Sequence, residues 1–115
     1  MKRQQEYSMK ILLDECITKR LIPYLKEFEI FTVSQMKWNG IKNVKLMSLC
    51  VDNSFDLLLT IDKNLMLQQN LDKYKLAIAV LNSSSSKIEE LILFLPSLKA
   101  QITKLEKFKA YIIEK

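Results

Sequence analysis

Short, continuous apolar runs alternate along this chain with stretches whose apolar residues recur at helical spacing. The runs at 10–13, 29–33, 55–61, 76–81 and 110–113 lack polar alternation, which suits strands buried on both faces of a parallel sheet. Between the first two runs, residues 16–28 carry Ile17, Leu21 and Leu25 on one face. They predict a helix that Pro23 kinks or splits. Residues 34–38 read as a short helical turn and Asn39-Gly40 as a chain reversal. Asn43 is placed to cap a helix running to about 53, with Val44, Met47 and Val51 inward. Residues 64–71 read as a short helix or an irregular segment. Ser83, Ser84, Ser85 and Ser86 make a polar loop whose last serine can cap a helix bearing Ile88, Leu91, Ile92 and Leu95. Pro96 can open a second helix, where its missing donor costs nothing, and Leu98, Ile102 and Leu105 continue the stripe. The alternation predicts one three-layer α/β/α domain with a mostly parallel central sheet over 9–115. Residues 1–8 fall outside the pattern and read as a disordered arm.

Two of the runs end in acid. Met9-Lys10-Ile11-Leu12-Leu13 leads into Asp14 and Glu15, and the run through Ile61 leads into Asp62. Ligands of open α/β sheets bind beyond the carboxyl ends of the strands. If the two strands are parallel neighbours, Asp14 and Asp62 meet there. Crowded carboxylates repel, and a divalent cation relieves the repulsion; Mg²⁺ and Mn²⁺ favour such oxygen ligands. The plainer alternative is that each aspartate caps the segment that follows it.

Composition narrows the chemistry. With 115 residues and 49% hydrophobic content the chain can build one real core. No apolar run approaches the roughly 20 residues of a membrane span. The polar start shows no signal-peptide pattern, so a cytoplasmic location is expected. Cys16 and Cys50 are too few for a disulfide framework and read as reduced core residues. The net charge of +5 favours an anionic partner such as nucleic acid. The absence of histidine removes Ser-His-Asp triads, Cys-His proteases and His-ligated metals. A single glycine, Gly40, leaves no phosphate-binding Gly-rich loop. Any catalysis must come from carboxylates, lysines or a metal.

Four stretches carry a family resemblance: KILLDEC from Lys10, NGIKNVKL from Asn39, LTIDKNLMLQQN from Leu59 and IAVLNSSSSKIEEL from Ile78. In order and spacing they resemble the small stand-alone PIN-like nucleases of bacteria, relatives of the VapC-type toxins. The resemblance spans almost the whole domain. It implies a metal-dependent ribonuclease using Mg²⁺ or Mn²⁺, and a toxin paired with a small antitoxin protein. In that scheme Asp14, Asp62, Thr60 and Asn64 are the catalytic residues, and Asp14, Asp62 and Glu15 hold the metal. Asn64 stands where the wider family often has another aspartate, and Thr60 supplies a hydroxyl near the metal-bound water. Lys42, Asn43, Lys45, Ser85 and Ser86 are the candidate substrate contacts. One departure matters: Val44 and Lys45 stand where relatives tend to have Gly-Glu. A cation there lowers the negative charge that draws a metal. The alternative function is therefore a catalytically impaired PIN-like module that binds RNA or protein. A homodimer is also expected, with Trp38, Met36 and Met66 as contact surface if they are not core.

Overall fold

The computed structural model describes residues 8–115, so the expected arm at 1–8 lies, but for Ser8, outside the described residues. Five strands form one sheet: β1 (Lys10–Leu13), β2 (Glu29–Thr32), β3 (Leu57–Thr60), β4 (Ala77–Leu81) and β5 (Lys109–Ile113). Their order is β2-β1-β3-β4-β5 and every pairing is parallel. The helices are α1 (Val33–Met36), α2 (Asn43–Asp52), α3 (Ile88–Leu91) and α4 (Leu95–Gln101). Short 3-10 segments at Lys19–Leu25, Lys63–Leu67, Leu71–Lys73, Ile92–Phe94 and Ile102–Lys104 supply the remaining turns. Among the described residues no helix is long and apolar enough to cross a membrane.

The continuous apolar runs are explained by two cores, one on each face. Ile11, Leu13, Leu57 and Leu59 point to the face covered by Leu21, Leu25 and the α3–α4 stripe of Leu91, Phe94 and Leu98. Leu12, Leu58, Ile78 and Val80 point to the face covered by Leu46, Met47 and Cys50 of α2 and by Leu65. Successive strand residues face opposite ways, so a strand without polar alternation must be covered twice. Trp38, Met36 and Met66 are partly buried against the second core, and the Trp38 ring meets Phe55 edge-on at 6.0 Å. The most exposed large apolar side chain is Leu67 instead.

The connections put α3 and α4 on the same face as the Lys19–Leu25 segment, although those two connections step toward opposite edges of the sheet. The β4–β5 crossover is thus opposite in hand to the other three, a rare arrangement in parallel sheets. The other face beside β4 and β5 is already taken by Leu65, Met66 and Leu71 of the β3–β4 connection.

Three expected helices differ in detail. Residues 16–28 give only a 3-10 helix, Lys19–Leu25, opened by the Thr18 hydroxyl, which accepts from the Arg20 N–H. Pro23 lies inside it and cannot donate an i→i−4 bond, which disfavours a regular α-helix. The cap of α2 is Lys42, with no side-chain cap bond, and Asn43 is the first helical residue at φ 51°. Asparagine tolerates that left-handed conformation better than most residues. Ser86 does not cap α3 either. Lys87 occupies that place, and Ser85 Oγ accepts from the Lys87 N–H at 3.1 Å.

Candidate functional site

The strand order reverses direction between β1 and β3: the chain leaves β1 toward β2 on one side and returns to β3 on the other. Such a switch point opens a crevice at the carboxyl edge of a sheet. Asp14 follows β1 directly, its N–H bonded to the Leu59 carbonyl of β3 at 2.9 Å. Asp62 stands two residues beyond β3. Both line one cleft of about 200 Å³, as expected from the two acid-terminated runs.

Thr60 fastens the two aspartates together. It is the last residue of β3 and is wholly buried. Its hydroxyl donates to Asp14 Oδ2 at 2.6 Å and accepts from the Asp62 N–H at 2.9 Å. The short bond to a carboxylate is of the strong, charge-assisted kind. Thr60 thereby sets the Asp14 rotamer and the path of the chain into Asp62. The hydroxyl thus donates to one of the site's own aspartates and accepts from the backbone of the other.

Oδ1 of each carboxylate has a local partner. Asp14 Oδ1 accepts from the Glu15 N–H at 2.7 Å, and Asp62 Oδ1 accepts from the Asn64 N–H at 3.0 Å. Asp62 therefore does cap the following 3-10 segment, so the capping and cleft-lining readings of this residue are both true. Among the described residues no lysine or arginine forms a salt bridge with Asp14, Glu15 or Asp62. Ionised carboxylates each offer about four acceptor sites, so capacity remains for a cation or a donor.

Glu15 turns away from this pair. Its Oε1 accepts from the Gly40 N–H at 3.0 Å and its Oε2 from Asn39 Nδ2 at 3.5 Å. It ties down the turn at Asn39-Gly40, where Gly40 at φ 82° needs its conformational freedom. That turn leads into Ile41, Lys42 and Asn43, which form the opposite wall of the cleft. Leu46 and Leu65 line it further in.

Cys16 also lines the cleft, so of the two cysteines only Cys50 is the fully buried core residue expected. The Cys16 thiol lies 3.4 Å from Thr60 Oγ1 and donates to Asp14 Oδ2 at 3.7 Å. Burial pushes its pKa up, the contacts with the Thr60 hydroxyl and the Ile61 backbone pull it down, and the charge of Asp14 and the hydrogen bond to it push it up again. It is a protonated donor to the site and not a thiolate nucleophile. Burial, with a contribution from the Asp14 charge, pushes Cys50 up to about 12.

Of the residues singled out in the sequence, Asp14, Glu15, Lys42, Asn43 and Asp62 line the cleft, with Thr60 beneath it. Asn64 is exposed and reaches the site through its backbone. Lys45, Ser85 and Ser86 do not line it. The serine loop is bonded within itself, Ser83 Oγ to the Ser85 carbonyl at 2.7 Å, and Lys63 holds the Ser83 carbonyl at 3.1 Å. Sequence reasoning missed Cys16 as a cleft residue and Lys63 as an anchor. Both flank an aspartate already singled out, which was the available signal. Among the described residues no group of three or more Asp, Glu, Cys or His side chains is disposed around a common metal position. No family model, curated protein or solved structure matches this chain.

Proposed function

We propose that the chain is a PIN-like, metal-dependent ribonuclease, and that Asp14 and Asp62 are its metal-holding pair. The observation that carries this reading is the pair itself. Two aspartates at a sheet switch point are joined through a buried hydroxyl, which donates to the Asp14 carboxylate and accepts from the Asp62 N–H, and among the described residues neither forms a salt bridge with a lysine or arginine. The donor set suits a hard cation: Mg²⁺ is commonly held by one or two carboxylates plus phosphate oxygens and water. When bound, such an ion supplies charge stabilisation and an activated water for phosphodiester hydrolysis. The chain's own part is to hold Asp14 through Thr60 and Asp62 through its cap. Lys42 and Asn43 face these acids across the cleft and would hold the phosphate. The net charge of +5 fits an anionic substrate. In this reading the chain is the toxin whose cleft a small antitoxin protein covers.

A second reading has one specific support. Among the described residues only Asp14 and Asp62 line the cleft without being spent on the Asn39-Gly40 turn, as Glu15 is, and Lys45 stands where PIN-like proteins tend to carry a glutamate. That combination suits a module that binds RNA without cutting it. The two separate in one experiment. Calorimetric titration with Mn²⁺ and an RNA-cleavage assay are run on wild type, Asp14→Asn and Lys45→Glu. Under the nuclease reading wild type binds and cleaves and Asp14→Asn does neither. Cleavage gained only by Lys45→Glu supports the binding module. Identical Mn²⁺ heats for wild type and Asp14→Asn would remove the metal site.

A further inference from the structure

The Asp14–Glu15 corner has a second cleft on its other side. It lies between the ends of β1 and β2 and has a volume of about 270 Å³. Ile17 and Val33 give it apolar lining, Thr32 and Ser34 bring hydroxyls, and Lys19 brings the cation. Both clefts count Asp14 and Glu15 among their lining residues, so the two acids form a ridge between them. Along the carboxyl edge of the sheet the order is Lys19, then the acid ridge, then Lys42.

We infer that the β1–β2 cleft is a second nucleotide subsite, so that a single RNA strand crosses the ridge with one unit on either side of it. The inference rests on the ribonuclease reading and specifies how its substrate lies. Size is the first argument. Each cleft is smaller than the about 300 Å³ at which pockets begin to enclose drug-sized ligands. One small unit fits each, and two small clefts in line suit a linear polymer. Charge is the second. A strand whose metal would be held by Asp14 and Asp62, on one side of the ridge, needs cations for the flanking phosphates, and Lys42 and Lys19 line the clefts on the two sides. Construction is the third. The ridge and both walls are tied together: Glu15 bonds Gly40, and Asn39 Nδ2 donates to Ser34 Oγ at 3.2 Å. A duplex is too broad to lie in two such clefts, and single-strand grooves of this kind track the backbone with cations.

The test is fluorescence anisotropy with a labelled single-stranded oligoribonucleotide in Mg²⁺, at several salt concentrations, with the RNA checked as intact on a gel. Wild type is compared with Lys19→Ala, Lys42→Ala and Lys26→Ala. All three lysines are exposed, and Lys26 closes the far end of the 3-10 helix that Lys19 opens. Each lost phosphate contact should make the slope of log K against log salt shallower by about 0.7, which is about a fivefold loss of affinity at 0.1 M salt. The expected result is that loss for Lys19→Ala and for Lys42→Ala, with Lys26→Ala unchanged. If Lys42→Ala weakens binding and Lys19→Ala does not, the second subsite is overturned and the ribonuclease reading stands. An equal loss in Lys26→Ala and Lys19→Ala means diffuse attraction and overturns the subsite too. A wild-type protein that binds no RNA overturns both readings together.

Discussion

The two ends of β3 both carry aspartate, and the fold treats them in opposite ways. Asp56, at the amino edge, is 4% exposed and fully engaged. It accepts from the Lys10 N–H at 2.8 Å and pairs with Lys107 at 3.0 Å. Lys10 Nζ in turn caps the Asn53 carbonyl at 2.6 Å and lies over the rings of Phe31 and Phe55. At the carboxyl edge Asp14 and Asp62 lie beside a cleft with no cation partner among the described residues. A buried charge that is neutralised is tied into the fold; carboxylates left without a cation, one fixed by a buried hydroxyl and the other by its cap, are what a binding site needs.

That contrast predicts opposite responses to substitution. Asp56→Ala strands the Lys10 N–H and a lysine that is 34% exposed. Breaking a buried pair costs about 3–5 kcal/mol, and partial solvation of Lys107 puts this case near ~3. Urea denaturation would measure it, and a loss under about 1 kcal/mol would show that the amino edge is not a structural clamp. Thr60→Val keeps the shape but leaves Asp14 Oδ2 and the Asp62 N–H without their shared partner. The expected cost is about 2 kcal/mol, within the range for buried groups left unsatisfied. Mn²⁺ binding should fall in the same variant because the pair loses its alignment. Unchanged stability and unchanged heats would mean that the hydroxyl does not link the aspartates.

Asp14→Asn should leave stability within about 1 kcal/mol of wild type, because the amide oxygen can still accept from Thr60. Its effect belongs to Mn²⁺ affinity. A loss of stability as large as that of Asp56→Ala would erase the distinction between the two edges. At neutral pH the smallest effect is that of Cys50, which acts only in alkali. Its folded pKa of about 12 lies above the ordinary 9.0, so above pH 9 the unfolded chain releases a proton that the folded chain keeps. Stability from this group is intact below pH 9 and declines as pH rises toward 12. Cys50→Ala should flatten that decline in alkaline denaturation curves. Asp14→Asn should flatten it slightly, since the Asp14 charge contributes to the shift.

The strands were legible in the sequence: the continuous apolar runs of β1, β3 and β4 are buried on both faces, while the runs of β2 and β5 form edge strands that are only partly covered. The sequence by itself also determined that Asp14 and Asp62 end strands, and that neither histidine nor a glycine-rich loop can serve the site. What it left open was decided by tertiary structure. The Lys19–Leu25 segment carries a helical stripe, and Pro23 left only a 3-10 helix there. Asn43 has the chemistry of a cap, and the path out of the Glu15-anchored turn put Lys42 in that place instead. Glu15 and Asp14 are adjacent in sequence, and the strand end points them differently, one to the loop and one to the cleft. Asp56 and Asp62 flank the same strand, and position alone, before or after the apolar run, does not say which of them a cation neutralises. Lys107 reaches Asp56 from 51 positions away, and Asp62 has no such partner among the described residues. Whether a carboxylate is neutralised depends on which distant side chains the packing brings within a few ångströms, and local sequence carries no record of that distance.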